Sequence, residues 1–510
     1  MTIAQLLDAR AQLGSRLAYA VGRDENDGVR SPELPGATLS YAQLAEATGR
    51  WRTLAGEHLS QGHRAVLQIA DPLRFAVAFL GLIAGGATVV PLNPSVPAEG
   101  RRGLLELLGG DVFVTDLADD LGVSVPTWTI GPGGAVGDVS AAVAVHARRP
   151  PLDPRPALIL SSSGTTGVPK VIPLEERQLL YVAAKVAEHH KLDAGERGYC
   201  PLPLFHVNAE VVGLLATLVA GSSLVLDRKF RRTGFWKLVD AWQVTWINAV
   251  PAILAILARS EPPPSEVSAR VRFARSASAP LPAPVQVEFE EHCGIPVLET
   301  YGMTEAAAQI TANPVPPEPH KAGSAGRPVG VELRVVDRRG RRRPAGTVGA
   351  VEVRGPSVVE HYLTPGPGES LRSARKPDGW LRTGDIGHLD QDGYLFLAGR
   401  ADDVINRGGE KVYPRPIEDV LRLHPDVSEV AVIGEADPIL GQCPVAYLTQ
   451  DDKTDADRLE SELRALATAR LEPQSRPVRY HVVASLPAGP TGKVSRQKLR
   501  DAVALEAARA

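Results

Sequence analysis

A unit made of an apolar helix end, a glycine and a β-branched run occurs twice in this sequence. It reads Phe79-Leu-Gly-Leu-Ile-Ala-Gly-Gly-Ala-Thr-Val-Val90 in the first copy and Leu214-Leu-Ala-Thr-Leu-Val-Ala-Gly-Ser-Ser-Leu-Val-Leu226 in the second. Each copy predicts a buried helix that stops at a glycine and is followed by a buried strand. The repetition predicts two similar α/β layers.

Further short β-rich runs lie between helical segments, at residues 157–160, 244–248 and 296–299. Strands that alternate with helices are typical of parallel sheets with crossover helices. The chain up to about residue 320 is therefore predicted to be α/β.

From Gly330 onward the sequence changes to short alternating strands separated by Gly, Pro and Asp turns. These strands are predicted at residues 331–336, 349–354 and 393–397. They indicate a small antiparallel β unit. The segment 365–378, rich in Gly, Pro, Ser and Arg, is predicted to be a loop, and the arginine-rich run 338–343 a solvated turn between two strands.

Past residue 400 the pattern becomes strand, helix, strand, strand, helix, strand. The helices are predicted at 417–423 and 456–471, and the last three strands at 427–433, 444–448 and 478–483. Roughly 110 residues of α+β structure are enough for a separate domain. The expected fold class is α/β, with a large N-terminal domain of two α/β layered subdomains and a small β subdomain, followed by a small α+β domain.

Charge and cysteine content exclude several classes of function. The 56 Lys and Arg residues nearly balance the 59 Asp and Glu residues, and a net charge of −3 argues against nucleic acid as a partner. The three cysteines are widely spaced and include no CxxC pair, so neither a disulfide scaffold nor a zinc site is expected. This usage fits a reducing compartment, and we expect a cytoplasmic protein.

No membrane span is expected either. The uncharged stretch 75–98 is long enough to cross a bilayer, but Gly85, Gly86 and Pro91 interrupt it. We expect a buried helix, a glycine turn and a buried strand there. Residues 1–16 carry Asp8 within their apolar pattern, which is not the pattern of a secretory signal peptide.

The segment Ser161-Ser-Ser-Gly-Thr-Thr-Gly-Val-Pro-Lys170 directly follows a predicted buried strand. Every residue from 161 to 167 is a glycine or carries a hydroxyl group. Backbone N–H groups and short hydroxyls can therefore surround phosphate oxygens, and Lys170 adds positive charge. Because the glycine spacing differs from that of a Walker A loop, the segment predicts a phosphate-binding loop of another kind.

Four later segments complete a set of motifs. They are Glu299-Thr-Tyr-Gly-Met-Thr-Glu305, Arg382-Thr-Gly-Asp385, Gly399-Arg-Ala-Asp-Asp-Val-Ile-Asn-Arg-Gly-Gly-Glu-Lys411 and Pro490-Thr-Gly-Lys493. Together with the hydroxyl-rich loop, and in this order over nearly the whole chain, they resemble the core motifs of the AMP-forming acyl-CoA synthetase and adenylation-domain superfamily. That superfamily includes aryl-CoA ligases, luciferases and the adenylation domains of peptide synthetases. Pro203-Leu-Phe-His206, Met303-Thr-Glu-Ala306 and residues 406–411 most resemble the oxalate and small-acid CoA ligases.

The resemblance implies a reaction in two steps that uses ATP, Mg²⁺ and coenzyme A. A carboxylate first attacks the α-phosphate of ATP, which gives acyl-AMP and pyrophosphate. The thiol of CoA then displaces AMP. The implied partners are a small-molecule carboxylic acid and CoA.

The resemblance also assigns roles within the nucleotide site. Thr304 is expected at the α-phosphate, and Glu305 is expected to bind Mg²⁺ as a hard oxygen ligand. Lys493 is expected to stabilise the charge that grows as the carboxylate meets the α-phosphate. Tyr301 is expected to stack on adenine, and Asp385 and Arg400 to bind the ribose hydroxyls. The other residues assigned to ATP and AMP are Ser161, Ser162, Ser163, Gly164, Thr165, Thr166, Gly167 and Lys170 around the phosphates, with Ser278, Ala279, Pro280, Glu299, Thr300 and Gly302 elsewhere in the site.

The remaining roles concern domain motion, the thiol and the acid. The implied domains are 1–400 for ATP and acid binding and 401–510 as a mobile lid with the catalytic lysine, and Asp402 is the expected hinge residue within 399–403. Gly408, Gly409 and Lys411 are expected to line the tunnel for CoA, since glycine lets a pantetheine arm pass close to the backbone. The candidates for the acyl pocket are His206, Asn208, Trp246, Val250, Ser276, Met303 and Ala306. Their polar members favour a small or polar acid.

Several alternatives stay open at this stage. The acceptor could be a carrier-protein phosphopantetheine or an amine instead of CoA, and the substrate could be another oxyacid such as nitrite. A catalytically silent nucleotide-binding or scaffold protein is a reading of a different class, which the presence of Glu305, Asp385 and Lys493 disfavours. A luciferase-like oxygenation of the adenylate is the most remote alternative.

Overall fold

Four β-sheets organise the part of the chain that the computed structural model describes. The described residues are 1–24, 28–30, 38–117, 125–130, 152–162, 170–366, 369–450, 455–487 and 494–507. The α-helices within them are α1 (Ile3–Arg10), α2 (Tyr41–His58), α3 (Pro72–Ala84), α4 (Ala98–Leu108), α5 (Glu176–His189), α6 (Ala216–Ala220), α7 (Phe235–Ala241), α8 (Pro251–Ala258), α9 (Ser265–Arg270), α10 (Ala283–Cys293), α11 (Pro414–Leu421), α12 (Ala456–Arg470) and α13 (Arg496–Ala507).

The strands follow the same order along the chain. They are β1 (Leu17–Val21), β2 (Thr38–Ser40), β3 (Arg64–Gln68), β4 (Thr88–Pro91), β5 (Val112–Thr115), β6 (Thr127–Thr129), β7 (Leu158–Ser162), β8 (Lys170–Leu174), β9 (Arg197–Cys200), β10 (Ser223–Leu226), β11 (Trp246–Ala249), β12 (Phe273–Ser276), β13 (Val297–Met303), β14 (Ala308–Ala312), β15 (Arg327–Pro328), β16 (Glu332–Val336), β17 (Gly349–Arg354), β18 (His361–Thr364), β19 (Ser370–Ser373), β20 (Leu381–Leu389), β21 (Leu395–Arg400), β22 (Ile405–Arg407), β23 (Glu410–Val412), β24 (Val427–Asp437), β25 (Gly441–Gln450) and β26 (Arg479–Val482).

Two large mixed sheets form the α/β layers that the repeated unit predicts. One has nine strands in the order β15-β14-β13-β12-β11-β9-β10-β1-β2, and the other has eight in the order β19-β18-β8-β7-β4-β3-β5-β6. The centre of each sheet is parallel, whereas β2, β14 and β15 in the first and β8, β18 and β19 in the second pair antiparallel. The α/β class is thereby confirmed.

Helix α3 shows how the local sequence forms the first repeated unit. The Asp71 side chain caps the helix by accepting from the backbone N–H groups of Leu73 and Arg74, and Pro72 occupies its first turn. The helix ends at Gly85, and Gly86 follows with a φ of 90° before strand β4 begins. The predicted helix, turn and strand are confirmed. Among the described residues, none of the helices combines the length and the apolar character needed to span a bilayer.

A four-stranded sheet, β16-β17-β20-β21, forms the small antiparallel unit. The arginine-rich run 338–343 lies between β16 and β17, as predicted. The prediction of a loop over the whole of 365–378 is wrong, because β19 forms within it and pairs with β18 along Leu363 and Leu371. Partly buried Leu371 packs against a core cluster, and that contact supplies an apolar anchor in an otherwise polar segment.

The C-terminal part of the chain has its own sheet and its own cores. Strands β23-β22-β25-β24 are joined by β26, which pairs with β25. Helices α11 and α12 contribute Ile417, Leu459 and Leu463 to a core on one face of the sheet. Leu499 of α13 belongs to a second cluster on Val445 and Tyr447. This is the small α+β domain that the sequence predicts.

Candidate active site

Three residues assigned to adenosine meet at one place although they come from distant segments. The Tyr301 hydroxyl donates to Asp385 Oδ2 at 2.5 Å, and Arg400 Nη1 lies 3.1 Å from Asp385 Oδ1. Asp385 and Arg400 face each other in the register of β20 and β21. Burial and the neighbouring Asp385 carboxylate raise the pKa of Tyr301 well above its usual value, so its hydroxyl stays protonated and remains a donor.

Two glycines allow this convergence. A Cβ on Gly302 would lie 1.5 Å from the carbonyl oxygen of Ala308, because β13 and β14 approach closely there. Gly384 has a φ of 82°, and a Cβ on it would lie 2.7 Å from Arg400 Nη2. Both positions therefore require glycine, one for the hairpin and one for the place of the arginine.

The predicted wall of the adenine pocket lies directly after β12. Thr300 Oγ1 donates to the carbonyl oxygen of Ser276, which fixes the start of this wall on β13. Ser278 is exposed and adopts a φ of 70°, a conformation that costs energy outside glycine and is concentrated at functional sites. Ala279 is partly exposed and Pro280 exposed, so this segment is open to a ligand.

The phosphate end of the site is held together by Tyr362, which the sequence analysis does not single out. The Tyr362 hydroxyl donates to Glu305 Oε1 at 3.2 Å. The ammonium of Lys170 lies 5.2 Å from the centre of its ring, and the guanidinium of Arg372 lies 5.5 Å from it. Thr304 begins the short 3₁₀ turn 304–306 that carries the buried Glu305. One tyrosine thus joins an acidic group and two cations.

This arrangement fits the binding of Mg²⁺ together with a nucleotide. Within the described residues, no group of three or more His, Cys, Asp or Glu side chains could hold a metal ion by itself. Glu305 instead offers a single carboxylate near the cations of Lys170 and Arg372. Mg²⁺ is commonly bound by one or two carboxylates together with substrate phosphates, and that donor set is available here.

Several assigned residues lie outside the described residues. They are Ser163, Gly164, Thr165, Thr166 and Gly167 of the hydroxyl-rich loop, and Lys493. The two ends of the loop are described. Ser161 and Ser162 finish β7, Lys170 opens β8, and Ser162 and Lys170 face each other in the register of these strands.

The candidates for the acyl pocket differ in how deeply they are buried and in their hydrogen bonds. The Asn208 Nδ2 donates to Ser278 Oγ at 3.2 Å, which links the pocket to the adenine wall. His206 and Met303 are partly exposed, Ala306 is fully buried, and Val250 directly follows β11. Ser276 is fully buried, and its hydroxyl has no hydrogen-bond partner among the described residues.

Trp246 lies at the far end of β11 from the other candidates, so we remove it from the expected acyl pocket. It opens β11, is fully buried, and lies with its ring centre 6.0 Å from that of Phe273. The carboxyl ends of parallel strands form the binding edge of such a sheet, and Trp246 lies at the opposite end of β11 from Val250. On β11 it is Asn248 whose side chain reaches Asn208, with 3.5 Å between Asn248 Nδ2 and Asn208 Oδ1.

Behind Asn208 lies a buried arginine that sequence motifs do not reveal. Arg275, near the end of β12, is 2% exposed. Its Nη1 donates to Asn208 Oδ1 at 2.8 Å and to Asn248 Oδ1 at 3.0 Å, and its Nη2 donates to Gln309 Oε1 at 3.3 Å. We call these four residues the amide cage. Burial lowers the pKa of Arg275 to about 9, so the guanidinium still carries its charge at neutral pH.

Two residues flank the expected hinge, one bound to the large domain and the other to the small domain. Arg400 is bound to Asp385 of the four-stranded sheet. Asp403 accepts from Arg496 at 3.3 Å and from Arg500 at 3.1 Å, and both arginines belong to α13. Exposed Asp402 lies between these two attachments in the short 3₁₀ turn 401–403.

Gly408 and Gly409 form the turn of the hairpin β22–β23. Their φ angles are 58° and 91°, the sign that a two-residue hairpin turn of this kind requires. Lys411 is exposed, and its Nζ lies 3.5 Å from Asn406 Oδ1. The turn alone accounts for both glycines, and contact with CoA remains a separate proposal.

The small domain also touches the large one through a charged pair. Arg415 Nη2, on the first turn of α11, lies 3.7 Å from Glu299 Oε1, and both side chains are almost fully buried. Glu299 Oε1 also accepts from the backbone N–H of Leu281 at 3.2 Å. Burial raises the pKa of Glu299 to about 7, although Arg415 and the Leu281 N–H act in the opposite direction.

Comparison with known families covers most of the chain. Residues 24–363 match the family described as AMP-binding enzyme, and residues 416–493 match the AMP-binding enzyme C-terminal domain. A sulfoacetate–CoA ligase from Cupriavidus necator is 36% identical over 513 residues, which cover 98% of this chain and 97% of that enzyme. An oxalate–CoA ligase from Arabidopsis thaliana is 33% identical over 482 residues, covering 90% and 92% respectively.

Solved structures agree with these matches. The o-succinylbenzoate CoA synthetase from Bacillus subtilis, in complex with its acyl-adenylate intermediate, superimposes with a TM-score of 0.81 at 27% identity. The alignment covers 97% of this chain and 97% of that one. The same synthetase, in complex with ATP and a magnesium ion, also gives a TM-score of 0.81 at 27% identity, over 97% of this chain and 99% of that one.

Proposed function

Because this chain belongs to the family of AMP-binding enzymes and is an ATP-dependent acid–CoA ligase, we propose that its substrate is a small, polar carboxylic acid. The enzyme forms acyl-AMP, releases pyrophosphate and transfers the acyl group to CoA. The observation that carries the proposal is the hydrogen bond between Asn208 Nδ2 and Ser278 Oγ. It presents polar groups where a pocket for a long alkyl chain would be apolar.

Residues at one end of the site bind the adenosine part of ATP, and residues at the other end bind its phosphates. Tyr301, Asp385 and Arg400 bind adenosine, and Lys170 and Glu305 bind the phosphates with Mg²⁺. In the first step a carboxylate oxygen bonds to the α-phosphorus while the bond to pyrophosphate breaks. Lys493 stabilises the charge that accumulates there. In the second step the thiol sulfur bonds to the acyl carbon and AMP leaves with the electron pair.

We place the domain boundary at Asp402, with residues 1–400 as the large domain and 401–510 as the lid. The separate attachments of Arg400 and Asp403 support this position, since a rotation at 401–402 disturbs neither of them. In the second state Gly408, Gly409 and Lys411 line the path of the thiol. Asp402→Pro should slow thioester formation more than adenylation, because proline fixes φ. Unchanged rates for both half-reactions would exclude Asp402 as the hinge.

The acceptor and the compartment complete the proposal. CoA is the acceptor, and a carrier protein is the alternative that the experiment must separate from it. We place the reaction in the cytoplasm, because Cys200, Cys293 and Cys443 are all free and buried thiols, as a reducing compartment allows.

Pyrophosphate release over a panel of acids tests the proposal. The panel runs from oxalate, malonate and sulfoacetate through benzoate to octanoate, each with ATP and Mg²⁺ and each with and without CoA. We expect CoA-dependent turnover of the small polar acids and an acyl-CoA identified by mass spectrometry. Preference for octanoate would contradict the proposed pocket. Acyl-AMP that accumulates and ignores CoA would identify a different acceptor.

A further inference from the structure

The amide cage contains a positive charge without a counter-charge. The three described partners of Arg275 are the carboxamide oxygens of Asn208, Asn248 and Gln309. Within the described parts of the chain, no carboxylate forms an ion pair with Arg275, and its Nε has no hydrogen-bond partner. A buried charge is costly unless it is paired or bound by a ligand. Arginine remains charged even when buried, so the charge cannot be relieved by losing a proton.

Acidic groups close to the cage in space or in sequence form no ion pair with Arg275 among the described residues. Cys200 Sγ lies 3.6 Å from Asn248 Nδ2, and burial raises the pKa of this thiol to about 11. Glu210 is fully buried two residues after Asn208, and neither of its carboxyl oxygens has a partner among the described residues. Burial raises the pKa of Glu210 well above its usual range, which favours the neutral carboxyl. His189, the last residue of α5, and His190 after it interact electrostatically with Arg275, and burial together with that positive charge lowers the pKa of both.

The position of the cage connects it to the acid pocket. Asn248 and Arg275 face each other in register near the carboxyl ends of β11 and β12, the edge where ligands bind in sheets of this type. Asn208 lies above them at the start of a π-helical segment, Asn208–Leu215. Such segments are rare and are frequently found at functional sites. Asn208 then reaches exposed Ser278, so two hydrogen bonds separate the guanidinium from the adenine wall.

The hydrogen bonds also fix which end of the Asn208 amide faces the pocket. Arg275 only donates, so it holds Asn208 Oδ1 and leaves Nδ2 directed towards Ser278. A chain of hydrogen bonds that begins at a cation polarises each member in the same direction. The NH₂ group of Asn208 is therefore an enhanced donor towards an anion in the pocket.

Resting on the proposed ligase function, we propose that Arg275, acting through Asn208, forms a subsite for a second anionic group on the acid. The substrate class is a short acid that carries a carboxylate or sulfonate in addition to the carboxylate that reacts with ATP. Asn208 contacts this second anion, and Arg275 is a positioning residue that supplies the charge behind it. Acids named in the related ligases, oxalate and sulfoacetate, have this chemistry.

Matched pairs of acids test the subsite. Oxalate and sulfoacetate are compared with glycolate and propionate, which are of similar size but carry one negative charge. The wild-type enzyme should show the higher kcat/KM for the dianionic acids. Arg275→Met should lower that kcat/KM on the order of 10²-fold, mainly through KM, with little change for the monoanionic acids and for ATP. Arg275→Lys should restore part of the preference.

A second variant keeps the test decisive if Arg275→Met does not fold. Asn208→Asp places a carboxylate beside Arg275 and supplies the missing counter-charge. It should raise the melting temperature and lower the ratio of kcat/KM for dianionic acids to kcat/KM for monoanionic acids. Arg64→Met is the matched control, since Arg64, at the start of β3, is a buried arginine that forms an ion pair with Glu369. This variant should lower stability without changing the preference for dianionic acids.

The outcomes distinguish a failure of the proposed subsite from a failure of the proposed ligase function. Loss of both acid classes alike in Arg275→Met, or an unchanged preference in Asn208→Asp, would overturn the subsite. Wild-type enzyme that turns over monoanionic acids as well as dianionic ones would also overturn it, while the ligase function would stand. Failure of every acid to release pyrophosphate would overturn both.

Discussion

Arg415 of the small domain and Glu299 of the large domain form a buried ion pair, with 3.7 Å between Nη2 and Oε1. Their side chains are 5% and 3% exposed. Glu299 lies on β13, which also carries Tyr301, and Arg415 lies on α11, twelve residues after Asp403. The pair therefore couples the position of the small domain to a strand of the nucleotide site.

Arg415→Met should shift the small domain away from this docked position. Removing Arg415 leaves the Glu299 carboxyl buried without its partner, and the loss of this contact weakens the docked interface. Energy transfer between one dye on each domain should fall. Arg422→Met is the control, since Arg422 bonds to Asp419 and Val430 within the small domain, and it should leave the transfer unchanged. Unchanged transfer in Arg415→Met would show that the pair does not hold the domains together.

The docked position should be favoured as pH falls below about 7. In the docked position the pKa of Glu299 is about 7 instead of 4.5, because burial and Asp419 raise it more than Arg415 and the Leu281 N–H lower it. Undocking exposes the carboxyl to water and returns its pKa towards 4.5, so docking takes up a proton and weakens as pH rises towards 7. The same energy transfer measured from pH 5 to 8 should decrease with pH in the wild type. A Glu299→Gln variant with the same pH dependence would assign the effect to another group.

Tyr301→Phe should weaken ATP binding by about tenfold. The ring remains available for stacking, but the hydroxyl that holds Asp385 at 2.5 Å is lost, and a hydrogen bond to a charged group is worth about 1.5–3 kcal/mol. The measurement is the KM for ATP in pyrophosphate release. Tyr41→Phe removes a buried hydroxyl that donates to Ser222 O, and it should lower stability without changing that KM. An unchanged KM in Tyr301→Phe would remove the hydroxyl from nucleotide binding.

Gly302→Ala should abolish activity by preventing the β13–β14 hairpin from closing. The added methyl group would meet the Ala308 carbonyl oxygen at 1.5 Å, and backbone cannot yield as a flexible side chain can. The loss should appear as a melting temperature several degrees lower together with loss of pyrophosphate release. Gly103→Ala, on the exposed side of α4 with open space around it, should be neutral or slightly stabilising. Normal activity in Gly302→Ala would show that the hairpin can open.

Lys493→Ala should lower the rate of acyl-AMP formation by about 10²–10³-fold, the usual loss for an electrostatic stabiliser of the transition state. Thioester formation from supplied acyl-AMP should remain largely intact, because the role proposed for the lysine is confined to the first step. The two half-reactions are measured separately by pyrophosphate release and by acyl-CoA formation. Equal loss in both would contradict a role confined to adenylation.

The sequence predicts those parts of the fold whose signals are local. The helix, glycine turn and strand at 72–91 are such a case, because an N-cap, a proline and two glycines mark each boundary. Strand β19 is missed, since its segment is polar and becomes a strand only by pairing with β18. The motifs assign Asp385 and Arg400 to one ligand, the ribose, and the structure places the two residues side by side.

Residues that function through distant contacts give no such signal. Arg275 and Asn208 are 67 positions apart, and Tyr362 and Glu305 are 57 apart, so no motif contains either pair. Trp246 shows the converse error, because its closeness in sequence to Val250 does not place it at the same end of the strand. A buried arginine at the end of an apolar strand is the one visible hint of the amide cage, since charge in such a run is unusual.

The two attachments around Asp402 have a mechanical consequence. If the lid rotates at Asp402 as proposed, Arg400 stays fixed to one domain and Asp403 to the other, so the rotation breaks neither of these attachments. The proposed rotation must instead break contacts between the two domains, and the Arg415–Glu299 pair is one of them. A substitution of Arg415 should therefore change the rate of turnover while every residue assigned to ATP, the acid or CoA stays unaltered.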